Sequence, residues 1–323
     1  MRHFKNIFSF TSLIALFLLS SCLDNTGNLD VFNSVNNKGI ISIGQAEPGL
    51  NVKTVEINAT PVTVSVIVNA ARVNKAINVT VEVDPTLLTA YNAEQAALDP
   101  AFVPFQLLPS TLYTIPSLVV TIPAGKLDTP FEVQISTATI SLTTKYMLPI
   151  VLKSVDDPSV VIASNLNSSL IAIVVKNRFD GKYTVTGTMV DNVNPLLVGY
   201  YPWKAELVTN GGLQNVLQDA EGYFSDPRIH IIRQTTPAAI SGYGSFGVTF
   251  NFDDANNVVS VINLFGQPAS NTRSAKLDPT GINKWDPVTK TLKVKYFMIQ
   301  TNQATGTNPR VTFDETYTYT GPR

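Results

Sequence analysis

The chain predicts an all-β protein: an N-terminal immunoglobulin-like antiparallel β-sandwich followed by a C-terminal antiparallel β-barrel or compact sandwich. Three observations carry this. The apolar residues are weighted toward Val and Ile and are interleaved with Thr and Asn, a strand-forming mixture. The apolar runs are short and repeat every second residue, as Val79, Val81 and Val83 do, which is the period of a half-buried strand. Turn-forming clusters such as Asn210-Gly211-Gly212 and Asp253 to Asn257 separate them.

Taken in order, residues 40–43, 52–57, 62–68 and 77–83 read as the first strands. Asp84-Pro85 then supplies a helix start, with Asp84 as cap and Pro85 in the first turn, ahead of a short helix over Leu87 to Gln95. A Pro-punctuated loop from Asp99 to Pro109 leads to strands at 117–122, 131–135, 146–151 and 169–175, giving about eight strands in residues 38–177. Immunoglobulin cysteines are absent, and a small barrel is the alternative for this region.

Lys176-Asn177-Arg178 interrupts the last apolar run, so a boundary is placed near residue 177 and a second domain spans 178–323. Its strands read as 181–190, 203–209, 223–232, 247–252, 258–264, 291–299 and 310–319, with a hairpin turning at Asp253 to Asn257. An antiparallel meander of this kind has to close or be covered, because open edges invite pairing with other chains.

The N-terminus has a processing pattern of its own. Arg2, His3 and Lys5 precede an apolar run from Ile7 to Leu19, and Leu19-Ser20-Ser21-Cys22 follows. Residues 1–21 thus read as a lipoprotein signal peptide, Cys22 as the lipidated residue, and the polar, aperiodic 22–37 as a flexible tether. Cys22 is the only cysteine, so it has no intramolecular disulfide partner. Loss of Arg2 and Lys5 leaves 21 basic against 24 acidic side chains, a net charge of −3, with Lys and Arg scattered singly; a nucleic-acid partner is excluded on that ground. The membrane is reached through lipid, and the expected address is the outer membrane, facing outward.

Few residues suit chemistry. After the signal His230 is the only histidine, in Arg228-Ile229-His230-Ile231-Ile232, and it reads as a strand residue; no Gly-x-Ser-x-Gly elbow accompanies it. Zinc clusters are beyond this inventory, no cofactor is expected, and Asp253-Asp254-Asn256 reads as turn chemistry rather than a calcium loop. Glu221 near Tyr223, and Asp314-Glu315, are the carboxylates to inspect for glycoside hydrolysis. Aromatic rings carry the binding hypothesis, since sugar C–H faces pack on flat rings. Tyr200, Tyr201 and Trp203 place three rings in four residues that cannot all enter one core, and Tyr223 and Trp285 are further candidates, with Tyr243 beside them.

The segment Phe179-Asp180-Gly181-Lys182-Tyr183-Thr184-Val185-Thr186-Gly187-Thr188, the lipobox, and the closing segments Asn283-Lys284-Trp285-Asp286-Pro287 and Phe313-Asp314-Glu315-Thr316-Tyr317-Thr318-Tyr319 resemble a group of Bacteroidetes surface lipoproteins commonly known only as domains of unknown function. The resemblance implies placement beside SusC- and SusD-like glycan uptake proteins and a surface glycan-binding role, with no catalytic residue. Non-catalytic polysaccharide capture is therefore the leading expectation. An adhesive or structural protein with a protein partner is the alternative, and a glycoside hydrolase the third reading.

Overall fold

The computed structural model describes residues 38–44, 50–267, 272–303 and 309–323. Cys22, the signal peptide and the tether lie outside them.

The first set of strands is β1 (Gly39–Ile43), β2 (Leu50–Glu56), β3 (Val62–Ala71), β4 (Ile77–Val83), β5 (Gln106–Leu107), β6 (Tyr113–Thr114), β7 (Val119–Ile122), β8 (Asp128–Ile135), β9 (Tyr146–Val155), β10 (Val160–Ile162) and β11 (Ser168–Lys176). They form two sheets, β10-β1-β3-β8-β6 and β2-β11-β9-β4-β7, with β5 added beside β9. Alternation puts Val66 and Val68 of β3, Phe131 and Val133 of β8, Val79 and Val81 of β4 and Leu148 and Ile150 of β9 into one core between the sheets. Most pairs are antiparallel, but β1–β10, β2–β11 and β5–β9 are parallel, so the sandwich is mixed at those positions. The helix α1 (Pro85–Leu98) starts where Asp84 accepts from the Thr86 amide at 2.9 Å, with Pro85 in the first turn, as the sequence expects. The short β5, β6 and β10 escape sequence reading because two or three residues show no period.

The second set is β12 (Gly181–Asp191), β13 (Leu197–Gly199), β14 (Trp203–Gly211), β15 (Gln214–Asp219), β16 (Ile231–Thr235), β17 (Ala238–Gly242), β18 (Val248–Phe252), β19 (Val258–Asn263), β20 (Arg273–Leu277), β21 (Lys284–Asp286), β22 (Thr291–Gln300) and β23 (Val311–Gly321). Nine of them form one sheet, β19-β18-β15-β14-β12-β23-β22-β20, with β21 also on β22. The sheet curls until its ends nearly meet, making a nearly closed barrel. At one end of the seam the main chain closes it: Val258 N–H donates to Asn283 O at 2.8 Å and Trp285 N–H to Asn256 O at 2.9 Å. Further along, side chains stand in for a ladder, with Asn263 Nδ2 donating to Arg273 O and Gln267 bonded to both polar groups of Ala275. Such closure removes the open edges that a meander would otherwise present.

The interior is filled by aromatic side chains. Tyr296 and Phe313 stack at 4.9 Å, Phe250 packs edge-on to Tyr317 at 5.6 Å, and Phe179 stacks on Phe252 at 3.8 Å with Trp285 edge-on at 5.2 Å. Strands β13, β16 and β17 form a separate three-stranded sheet. Its leading segment puts His230 among these rings, 4.7 Å from Phe313. The expected strand over 223–232 is therefore corrected: only Ile231 onward is strand, because Asp219 and Asp226 draw the preceding amides into turns. At Asp253 to Asn257 the expected hairpin forms, with the Asp253 carboxylate accepting from both the main-chain and side-chain amides of Asn257.

Candidate functional site

Residues 200–202 connect β13 to β14 and belong to no strand. Trp203 enters the barrel and is 2% exposed. Tyr201 also turns inward; its hydroxyl donates to Glu315 Oε1 at 2.7 Å. A Cβ on Gly199 would lie 2.1 Å from Tyr201 Cε2, so only glycine lets that ring pass. Tyr200, partly buried against the edge of the barrel core, meets Tyr223 edge to face at 5.6 Å with the two hydroxyls 3.0 Å apart.

Tyr223, 40% exposed, is presented by a turn after β15. The buried Asp219 carboxylate makes that turn by accepting from the Glu221 amide at 2.7 Å and the Tyr223 amide at 2.6 Å. Glu221 in turn accepts from the Lys204 amide at 3.0 Å, which keeps its exposed carboxylate beside the two rings. The hydrogen bond to Tyr200, then desolvation and the charge of Glu221, push the Tyr223 phenol up to about 12, so it stays a neutral hydroxyl. The result is a ledge with two phenol rings, two hydroxyls and a carboxylate at the surface.

The remaining candidate rings are not surface platforms. Trp203 and Trp285, expected to meet a ligand, are 2% and 3% exposed and fill the barrel instead; burying large apolar rings in the core outweighs presenting them. Tyr243 is buried as well, its hydroxyl donating to Asp191 Oδ2 at 2.7 Å beneath the Arg310 guanidinium. The five residues Tyr200, Tyr201, Trp203, Tyr223 and Trp285 thus divide into an outer pair and three inward rings.

Behind the ledge lies a polar cluster. Glu315 is fully buried, and four donors reach its carboxylate: Tyr201 and His230 Nε2 on Oε1, Tyr296 and Tyr317 on Oε2, at 2.7, 3.2, 2.7 and 2.5 Å. Four donors match its four lone-pair positions. His230 Nδ1 lies 3.0 Å from the Ile231 carbonyl, which can only accept, and Nε2 faces Glu315 and a Tyr296 hydroxyl whose proton is already directed to Glu315. Both ring nitrogens of His230 therefore have polar partners, the Ile231 carbonyl on one side and Glu315 with Tyr296 on the other. Burial pushes the Glu315 carboxyl up, but His230 and the tyrosine hydroxyls hold it below the ordinary carboxylate range. The same burial and the Glu315 charge drive the phenols of Tyr201, Tyr296 and Tyr317 well above their usual value.

This cluster bears on the hydrolase reading. Asp314 and Glu315 are neighbours in β23 and so face opposite sides of the barrel wall, one exposed and one sealed. They cannot flank one glycosidic bond. Elsewhere, an apolar cleft of about 280 Å³ on the first sandwich, lined by Leu50, Val52, Phe105, Leu142 and Val174, is separate from the ledge. Among the described residues no group of three or more His, Cys, Asp or Glu side chains gathers at one point.

A family model described as a "-like, N-terminal domain" matches residues 35–159, the stretch that forms most of the first sandwich. The crystal structure of a Bacteroides ovatus protein of unknown function matches 88% of this chain and 95% of its own length, with a TM-score of 0.55 at 14% identity, and so shares the fold. A putative carbohydrate binding protein of Bacteroides ovatus (13% identity, 80% of this chain and 66% of that one, TM-score 0.33) is more distant. So is an auxiliary nutrient binding protein of Bacteroides thetaiotaomicron (13%, 83% and 90%, TM-score 0.39); at these scores neither bears on the function of this chain. No curated protein matches the chain.

Proposed function

We propose that this is a lipid-anchored outer-membrane protein, facing outward, that binds polysaccharide without cleaving it, and that the Tyr200–Tyr223 ledge is the contact surface. The observation that carries the reading is the orientation of that pair. The exposed Tyr223 ring, held by its hydroxyl contact to the partly buried Tyr200, stands near Glu221, where a sugar ring can lay its C–H face on phenol and its hydroxyls against phenol and carboxylate oxygens. A shallow ledge gives weak single-site affinity, and a repeating polymer held by many copies on one cell gains by avidity. Lipidation at Cys22 is supported by the basic, apolar and small-residue order of residues 2–22. Action beside a SusC- and SusD-like uptake pair is the finer form of the proposal and rests on the resemblance of the barrel segments.

Native affinity electrophoresis through gels containing xylan, mannan, pectin or levan tests this. Retardation of the wild type by at least one polymer, lost in Tyr200→Ala and Tyr223→Ala, is the expected result. Equal retardation of both variants removes the ledge as the site, and migration unaffected by any polymer removes the polysaccharide reading in favour of a protein partner.

A further inference from the structure

We propose that Glu315, sealed inside the barrel, is the positioning residue of the outer ledge: by fixing Tyr201 it sets the direction of Tyr200. This rests on the reading of the ledge as the binding surface. Residues 200–202 lie outside the strands on either side, so no ladder dictates which way their side chains point. What fixes the connector is the Tyr201 ring, threaded past Gly199 and bonded to Glu315 Oε1. Because Tyr200 is the chain neighbour of Tyr201 in a connector that no strand holds, a fixed Tyr201 limits the directions open to the Tyr200 ring.

The four donors to Glu315 are not equivalent in this respect. Tyr296 and Tyr317 belong to β22 and β23, whose mutual ladder pairs Thr291–Met298 with Thr318–Val311 and orients them regardless of Glu315. Tyr201 and His230 lie outside the strands of the barrel sheet, and the carboxylate holds both of their side chains. A charge placed in an aromatic interior needs all its partners, since one left unmade is far more costly there than at the surface. The cluster accordingly holds the connector in one orientation, and the 3.0 Å contact between the Tyr200 and Tyr223 hydroxyls is the outward result.

Two substitutions separate positioning from stability, because each removes one hydroxyl from the same carboxylate. Tyr201→Phe acts on the connector; Tyr317→Phe acts on the wall. The readout is nitration by tetranitromethane, mapped to individual tyrosines by peptide mass spectrometry, and it needs no glycan. Tyr201→Phe should raise the nitration rate of Tyr200 and Tyr223 about fivefold, the scale of one lost hydroxyl hydrogen bond, whereas Tyr317→Phe should leave it unchanged. Gly199→Ala, which displaces the Tyr201 ring while keeping every member of the cluster, should repeat the rise and serves if Tyr201→Phe does not fold. Unchanged nitration in Tyr201→Phe, or an equal rise in Tyr317→Phe, overturns the positioning role. Wild-type polymer retardation by Tyr200→Ala would instead overturn the ledge as a binding site and leave the nitration result standing.

Discussion

Gln267 grips Ala275 with both ends of its side-chain amide: Nε2 donates to the Ala275 carbonyl and Oε1 accepts from the Ala275 amide, each at 3.0 Å. A side chain here does what a neighbouring strand does elsewhere in the sheet, joining the edge of β20 to the chain leaving β19. Removing it leaves two main-chain groups of Ala275 without those partners. Gln267→Ala should therefore destabilise the barrel by about 1–2 kcal/mol. Both tryptophans lie in the barrel, so a urea titration followed by tryptophan fluorescence reports this unit alone.

The Glu315 carboxyl has a folded value below its ordinary 4.5. A depressed acid contributes stability that is complete above the unfolded value and is lost as pH falls through the folded one. The barrel should thus begin to lose stability, in part through this group, as pH falls below about 4.5. Glu315→Gln should cost about 3–5 kcal/mol at neutral pH, because it replaces the carboxylate on which four buried donors converge with an amide that has one acceptor oxygen, and should flatten the acid limb of the stability curve. An acid limb as steep as that of the wild type would show that other carboxylates govern it.

Trp203→Ala removes a fully packed ring rather than a ligand contact. The expected loss is about 3–5 kcal/mol of barrel stability. If a folded Trp203→Ala protein keeps its urea midpoint but no longer binds polymer, the ring belongs to the binding surface after all.

Tyr223→Ala should weaken polymer binding about tenfold while leaving the urea midpoint unchanged, since the ring is at the surface. Tyr223→Phe keeps the ring and loses only the hydroxyl contact with Tyr200, so its effect should be smaller. Isothermal titration with a soluble polymer that retards the wild type compares the two.

Much of the architecture was legible because period-two alternation survives wherever one face is buried. The strands β3, β4, β12, β18, β22 and β23 follow from it, while the Asp84 cap and the Asp253 turn follow from capping and turn residues. What escaped was set by tertiary contacts. Gln214 to Asp219 looks too polar for a strand, yet it pairs with β14 and β18 and supplies the carboxylate that shapes the Tyr223 turn. The crowding argument over Tyr200 to Trp203 could not tell which ring goes inward: Trp203 is buried in the barrel and Tyr201 reaches Glu315, a residue far away in sequence. That residue did carry a signal: it shares the inward parity of Phe313 and Tyr317, and a lone acid on the apolar side of an alternating strand requires buried partners. His230 gave none, because His230, Ile231 and Ile232 are all buried and alternation fails there.

Aromatic side chains fill the barrel interior among the described residues, and this separates two kinds of evolutionary freedom. Exchange of the surface tyrosine and of the turn that carries Tyr223 changes the rim without touching the packed rings, so descendants of one scaffold can diversify there while the wall stays constant.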